Sequence, residues 1–190
     1  HLGFHLEQLT SGKETLENII PDVIKVVKSF EEKYNKKIPV AAAGGIFTGT
    51  DIAHFLKMGA SAVQMGTRFA ATEECDADIA YKNAYVNAQE KDIKIIKSPV
   101  GLPGRAIKNK FIKKAEDHRI APVKCYKCLK KCNPKDTPYC ISRALINAVK
   151  GNLDEALIFV GSNAYRVDRI MKVKELMEEL ISEAEKAYIN

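Results

Sequence analysis

No stretch of the sequence approaches the ~18–20 consecutive apolar residues that a membrane-spanning helix needs. No basic-then-apolar leader opens the residues given, so the reading places the chain in the cytoplasm without a membrane partner. Tryptophan is absent and cysteine is scarce, five residues in 190, which excludes a disulfide-rich scaffold. Internal repeats and low-complexity tracts are also lacking, which excludes repeat arrays and disordered tails. What remains is an ordinary globular composition, 46% hydrophobic and 28% charged, suited to one domain or slightly more. The first residue is His rather than Met, and the chain reads as the second half of something larger.

Acidic residues are missing from one region. Between residues 97 and 135 only Glu116 and Asp117 oppose 12 Lys and Arg. That segment is net +10 and the other residues sum to −4, so one local basic face is implied. A solvated lysine-rich surface is the plain reading. The competing one is a face for phosphorylated ligands such as a dinucleotide, coenzyme A or an acidic carrier protein. Nucleic acid ranks last, because no aromatic-and-basic interleave accompanies the charge.

Leu16, Ile19, Ile20, Val23, Val26 and Val27 recur at helical spacing, predicting a helix over 15–34 with Pro21 in its first turn. The short apolar run Ile38–Ala43 ends in Gly44-Gly45 and reads as a strand buried on both faces. Thr48-Gly49-Thr50-Asp51 supplies turn and cap chemistry for a helix from Asp51 to Met58, closed by Gly59. A second buried strand, Ala62–Gln64, leads into Met65-Gly66-Thr67. Strands alternating with helices predict an α/β fold with a parallel sheet or barrel. Further on, the pattern predicts a helix over Thr72–Ala88, a strand over Asp92–Lys97 and a loop from Ser98 to Gly104. A basic helix near Arg105–Lys114 follows, then a helix containing Arg143–Val149 and an amphipathic one from Val173 to Ala187.

The glycines carry chemistry. A glycine at the carboxyl end of a buried parallel strand lets a ligand approach the backbone without a Cβ in the way. Gly45 and Gly66 stand 21 residues apart, at the ends of consecutive strands, with Thr67 as an extra hydroxyl donor. Two such ends can grip one phosphate, as the loops after strands 7 and 8 of eight-stranded parallel barrels do. Tight turns alone are the competing explanation for any one of these glycines.

Several segments together resemble the nitronate monooxygenase family, formerly 2-nitropropane dioxygenase, which includes the flavin-dependent enoyl-acyl-carrier-protein reductases. The likeness runs through Ile38–Ile46, Gly59–Phe69, Ala71–Glu74, Ser98–Asn109 and Gly161–Ala164. It implies the C-terminal part of an FMN-binding TIM barrel with a small inserted substrate or lid region. The corresponding divisions are 1–72 for the barrel part, 73–150 for the insert and 151–190 for helices returning to the barrel. By that similarity Gly3, Gly44, Gly45, Gln64, Met65, Gly66 and Thr67 line the FMN. His1-Leu2-Gly3 fits the end of the family's Gly-Gly-His-x-Gly loop. His1 is then the catalytic acid/base, or the group that holds developing charge, a role suited to imidazole. His5 is the fallback, and His54 is read as structural.

The likeness leaves the first barrel strands to a missing N-terminal half, since a complete barrel needs about 250 residues. It implies oxidation of alkyl nitronates with dioxygen. The alternative is NAD(P)H-dependent reduction of an enoyl thioester, towards which the basic segment leans. A third reading is a non-enzymatic, metal-stapled fragment or interaction module. The expected partners are a small-molecule substrate, the other barrel half, an acidic carrier or coenzyme A, and a second copy in a homodimer.

Cys125-x2-Cys128-x3-Cys132-x7-Cys140 places four thiols within 16 residues. In a reducing compartment such a cluster suits tetrahedral zinc or an iron–sulfur cluster rather than disulfides. Its first three spacings resemble the cluster-binding run of the 2,4-dienoyl-CoA reductase group, with a shorter last gap. Free surface thiols are the competing reading. Cys75 stands apart and reads as a small buried residue.

Overall fold

Thr15 starts the first helix: its side chain accepts from Asn18 N, and Leu16–Tyr34 follow as α1. The computed structural model describes residues 15–130 and 132–189. Because α1 begins at Leu16, Pro21 is its sixth residue and not in the first turn, and the helix continues through it. Asn35, at a left-handed φ of 47°, closes α1 by donating its N–H to Glu31 O.

Strand β1 is Ala41–Ala43, shorter than the run from Ile38 suggests. It leads through Gly44-Gly45 to α2, Gly49–Lys57, and then to β2, Ala62–Gln64. β1 and β2 pair in parallel, Ala41 with Ala62 and Ala43 with Gln64. One face of this pair is packed: Ile20, Ala42, Ile46, Phe55 and Ala60 form a buried cluster beneath it. The other face is open, with Ala41, Ala43, Ala62 and Gln64 exposed. Burial on both faces is therefore not what these strands have. Among the described residues no further strand or helix lies over their second side.

Residues 67–70 form the short α3. The helix expected over Thr72–Ala88 is only Ile79–Val86, α4. Asp78 caps it by accepting from Ala80 N, and Thr72 is drawn into a parallel bridge with Met171 instead. β3, Ile93–Lys97, turns back through residues 98–102 into β4, Pro103–Ile107, as an antiparallel hairpin. Arg105 is thus on a strand, and the basic helix, α5, is Lys110–Asp117. Residues 157–160 run alongside β4: Ile107 N donates to Ile158 O and Val160 N to Arg105 O.

α6, Ile141–Val149, and α7, Val173–Ile189, complete the chain. α7 lies on α2 so closely that a Cβ at Gly49 would stand 2.2 Å from Leu180 O. Gly49 N donates to Glu183 Oε2 across the same contact, at 2.8 Å. A central cluster joins Phe47, Tyr85, Ala148, Ile158 and Val167, and a second packs Phe111, Ile112, Tyr139 and Leu157 under the hairpin. The architecture is mixed α/β, a βαβ unit at one end and a helix-backed hairpin at the other.

Candidate functional site

The parallel register puts the carboxyl ends of β1 and β2 side by side, Ala43 opposite Gln64. Gly44 and Gly45 follow the first at φ 114° and 71°, where a side chain would be strained. Gly66 follows the second at φ −122°, which any residue adopts. Among the described residues, a Cβ at Gly44 or Gly66 would meet nothing within 4 Å. Both therefore face open space, as the backbone lining of a ligand cradle must.

A third segment, not singled out as a site from the sequence, completes this cluster. Gly161 N donates to Thr67 Oγ1 at 2.9 Å, which leaves the hydroxyl hydrogen of Thr67 to donate elsewhere. Asn163 Nδ2 donates to Gly45 O at 2.5 Å, and Ser162 Oγ lies 3.4 Å from a Cβ built on Gly45. The only sequence signal was the glycine-serine-asparagine run, about a hundred residues downstream of the strands it joins.

Behind the cradle the loop from β1 to α2 is fixed by its cap. Asp51 Oδ2 accepts from Phe47 N and Thr48 N, both at 2.9 Å, while Thr48 Oγ1 accepts from Asp51 N. Partial burial alone would push the Asp51 carboxyl up. The donors from Thr48 and Phe47, with the nearby Arg166 charge, outweigh it and hold the carboxyl below its usual range. The guanidiniums of Arg68 and Arg166 lie 4.7 and 4.6 Å from the Phe47 ring centroid. Arg68 also donates to Phe47 O and pairs with Glu179 at 2.7 Å. The third segment is held from below by Tyr85, whose hydroxyl donates to Phe159 O at 2.9 Å. Burial pushes that phenol far up, so it stays a neutral donor.

The sequence-predicted residues fall into three groups. Gly44, Gly45, Gln64, Gly66 and Thr67 are brought together at the two strand ends. Met65 sits between them but packs its side chain downwards, with Ile52, into the cores under β2 and α7. His1, Gly3 and His5 lie outside the described residues. His54 is exposed on α2, with its ring edge-on to Phe55. Cys75 is half-buried rather than buried.

Cys125, Cys128, Cys132 and Cys140 all line one cavity of about 370 Å³. Among the described residues, no three His, Cys, Asp or Glu side chains are close enough together to hold a single metal ion. The thiols surround a space instead of converging on a point. No described helix is long and apolar enough to cross a membrane.

Probable nitronate monooxygenases match parts of the chain. The one from Staphylococcus saprophyticus is 40% identical over 81 residues, 43% of this chain and 23% of that protein. One from Staphylococcus aureus is 33% identical over 101 residues, 53% of this chain and 26% of that protein. The solved structure of FabK from Thermotoga maritima superposes with a TM-score of 0.63 at 31% identity, covering 80% of this chain and 45% of that one. Nitroalkane oxidase from Streptomyces ansochromogenes gives 0.61 at 26% identity, covering 83% and 42%. The chain thus spans less than half of these relatives' length. The sequence profile of the nitronate monooxygenase family matches residues 1–183, and the chain belongs to that family.

Proposed function

We propose that this chain is the phosphate-holding part of an FMN-dependent oxidoreductase that oxidises alkyl nitronates with dioxygen. The observation that carries the proposal is the meeting of Gly44-Gly45 and Gly66-Thr67 at adjacent strand ends, with open space in front of Gly44 and Gly66. In this reading residues 1–72 are the C-terminal part of a TIM barrel, 73–150 an inserted lid region, and 151–190 the return to the barrel. The open face of β1 and β2 then turns towards the barrel interior, and the preceding strands would pair along the outer edge of β1.

The residues present fit the phosphate end of FMN. Backbone N–H groups at Gly45 and Gly66 would hold that phosphate, and charge-assisted bonds of this kind are about twice as strong as neutral ones. The Thr67 hydroxyl adds a donor, and Ser162 stands close enough to add another. Asn163 holds the Gly45 carbonyl and so fixes the peptide that presents the next N–H. A bound flavin supplies the two-electron oxidation and the route to dioxygen. His1 is the proposed acid/base for the substrate; its replacement by Ala in the full-length protein is expected to cost ~10²–10⁴ in rate with FMN content unchanged.

A second reading, NAD(P)H-dependent reduction of an enoyl thioester, draws support from the match to FabK and from the basic segment 97–135. Anaerobic titration of the full-length protein separates the two. Bleaching of the flavin by an alkyl nitronate and not by NADH or NADPH is the expected result. Bleaching by nicotinamide alone overturns it in favour of the second reading.

A further inference from the structure

We propose that Cys125, Cys128, Cys132 and Cys140 bind an iron–sulfur cluster in the cavity they surround. Residues 118–140 contain no helix or strand among the described residues. So long an irregular stretch inside a folded chain is uncommon unless something else orders it. Its base is stapled: Arg119 donates to Thr137 O and Pro134 O, and Ile120 N donates to Pro138 O. Its far part, which carries the first two cysteines, is exposed and sparsely bonded.

Three features select the ligand. All four thiols line the same cavity of about 370 Å³, although Cys140 is on the far side of the loop, at the start of α6. No imidazole or carboxylate shares that lining, so the donor set is soft sulfur alone and suits zinc, copper(I) or iron–sulfur chemistry. Lys127 and Lys130 also line it and compensate the negative charge that four thiolates bring.

The candidates differ in the geometry they ask of the thiolates. One zinc ion draws four thiolates to about 2.3 Å from a single atom, so their sulfurs crowd within about 4 Å of one another. No three side chains of the kind are so gathered among the described residues. A polynuclear core takes each thiolate on a different corner and needs room between them, and the four cysteines line one shared space. The first turn is already shaped for it. Lys127, at a left-handed φ of 52°, lets its N–H donate to Cys125 Sγ at 3.4 Å, as a backbone donor does to a metal-bound thiolate.

The test is elemental and spectroscopic, on full-length protein purified without oxygen. Iron and acid-labile sulfide should be present in equal amounts, about two to four of each per chain. Reduction should produce a paramagnetic signal distinct from that of flavin. Cys128→Ser and Cys132→Ser should each lose iron and sulfide together while keeping FMN, which distinguishes loss of the cluster from failure of the flavin site. Should these variants not fold, the wild-type metal and sulfide content still decides. Zinc near one per chain without iron overturns the proposal, as does metal-free protein with four freely titrating thiols.

Discussion

Gly66 is the residue at which ligand and fold can be told apart. Its φ is negative, so no left-handed strain bars a side chain, and a Cβ there would touch nothing described within 4 Å. Gly66→Val should therefore fold normally and lose FMN. Several charge-assisted bonds at about 1.5–3 kcal/mol each are at stake. Flavin content and FMN affinity of the full-length variant check this, and unchanged affinity would place the phosphate elsewhere. Gly44 and Gly45 make poorer tests, because at their positive φ any side chain also strains the backbone. Asp51 gives a pH-dependent counterpart. Its carboxyl sits below the usual range, so its contribution is fully present above about pH 4 and fades as pH falls through the lowered value. Asp51→Ala should cost about 1–2 kcal/mol near neutrality, from two lost backbone hydrogen bonds. In urea titrations at several pH values, wild type and variant should converge at the acid end.

Between elements, the closest approach is that of α2 to α7 at Gly49. A side chain there would collide with backbone atoms of Leu180 and Ala184, which cannot swing aside. Gly49→Leu should destabilise by about 3 kcal/mol or more, visible as a lower denaturation midpoint, whereas Thr50→Leu on the exposed neighbouring position should not. The same packing explains what the sequence made legible. Short alanine and valine runs ending in glycine, followed by a Thr-x-x-Asp cap, identified β1, α2 and β2 because every cue there is local. β4 escaped notice because Pro103 and Gly104 look like loop residues. Pro103 begins the strand at the mouth of the hairpin, where Lys97 is its partner, a position that tolerates the missing N–H. Gly104 is present because the Phe159 ring lies 2.4 Å from where its Cβ would be. The part played by Ser162 and Asn163 was hidden for a different reason. Their contacts span 117 or more residues of sequence, and only the pairing of residues 157–160 with β4 delivers them to the strand ends.

At the scale of the molecule, apolar surface is left uncovered. Val26 and Phe30 on α1 are 57% and 45% exposed, and Tyr34 and Val23 extend the stripe. Together with the bare face of β1 and β2, this is surface that longer relatives have further chain to cover. The 190 residues on their own should self-associate at moderate concentration. The double variant Val26→Lys/Phe30→Lys should shift sedimentation towards the monomer. No shift would mean that association, if any, uses the open strand face.

The hydrogen bond from Gly161 N to Thr67 Oγ1 also bears on how such a protein can diverge over generations. A Cβ at position 161 would press to 2.8 Å from the Thr67 oxygen. Alanine at 161 therefore requires the Thr67 side chain to shift or the hydroxyl at 67 to be given up first. That intermediate lacks the bond holding the third segment against the second strand. The two positions, ninety-four residues apart in sequence, are coupled, and a side chain at 161 is accommodated most easily after a change at 67.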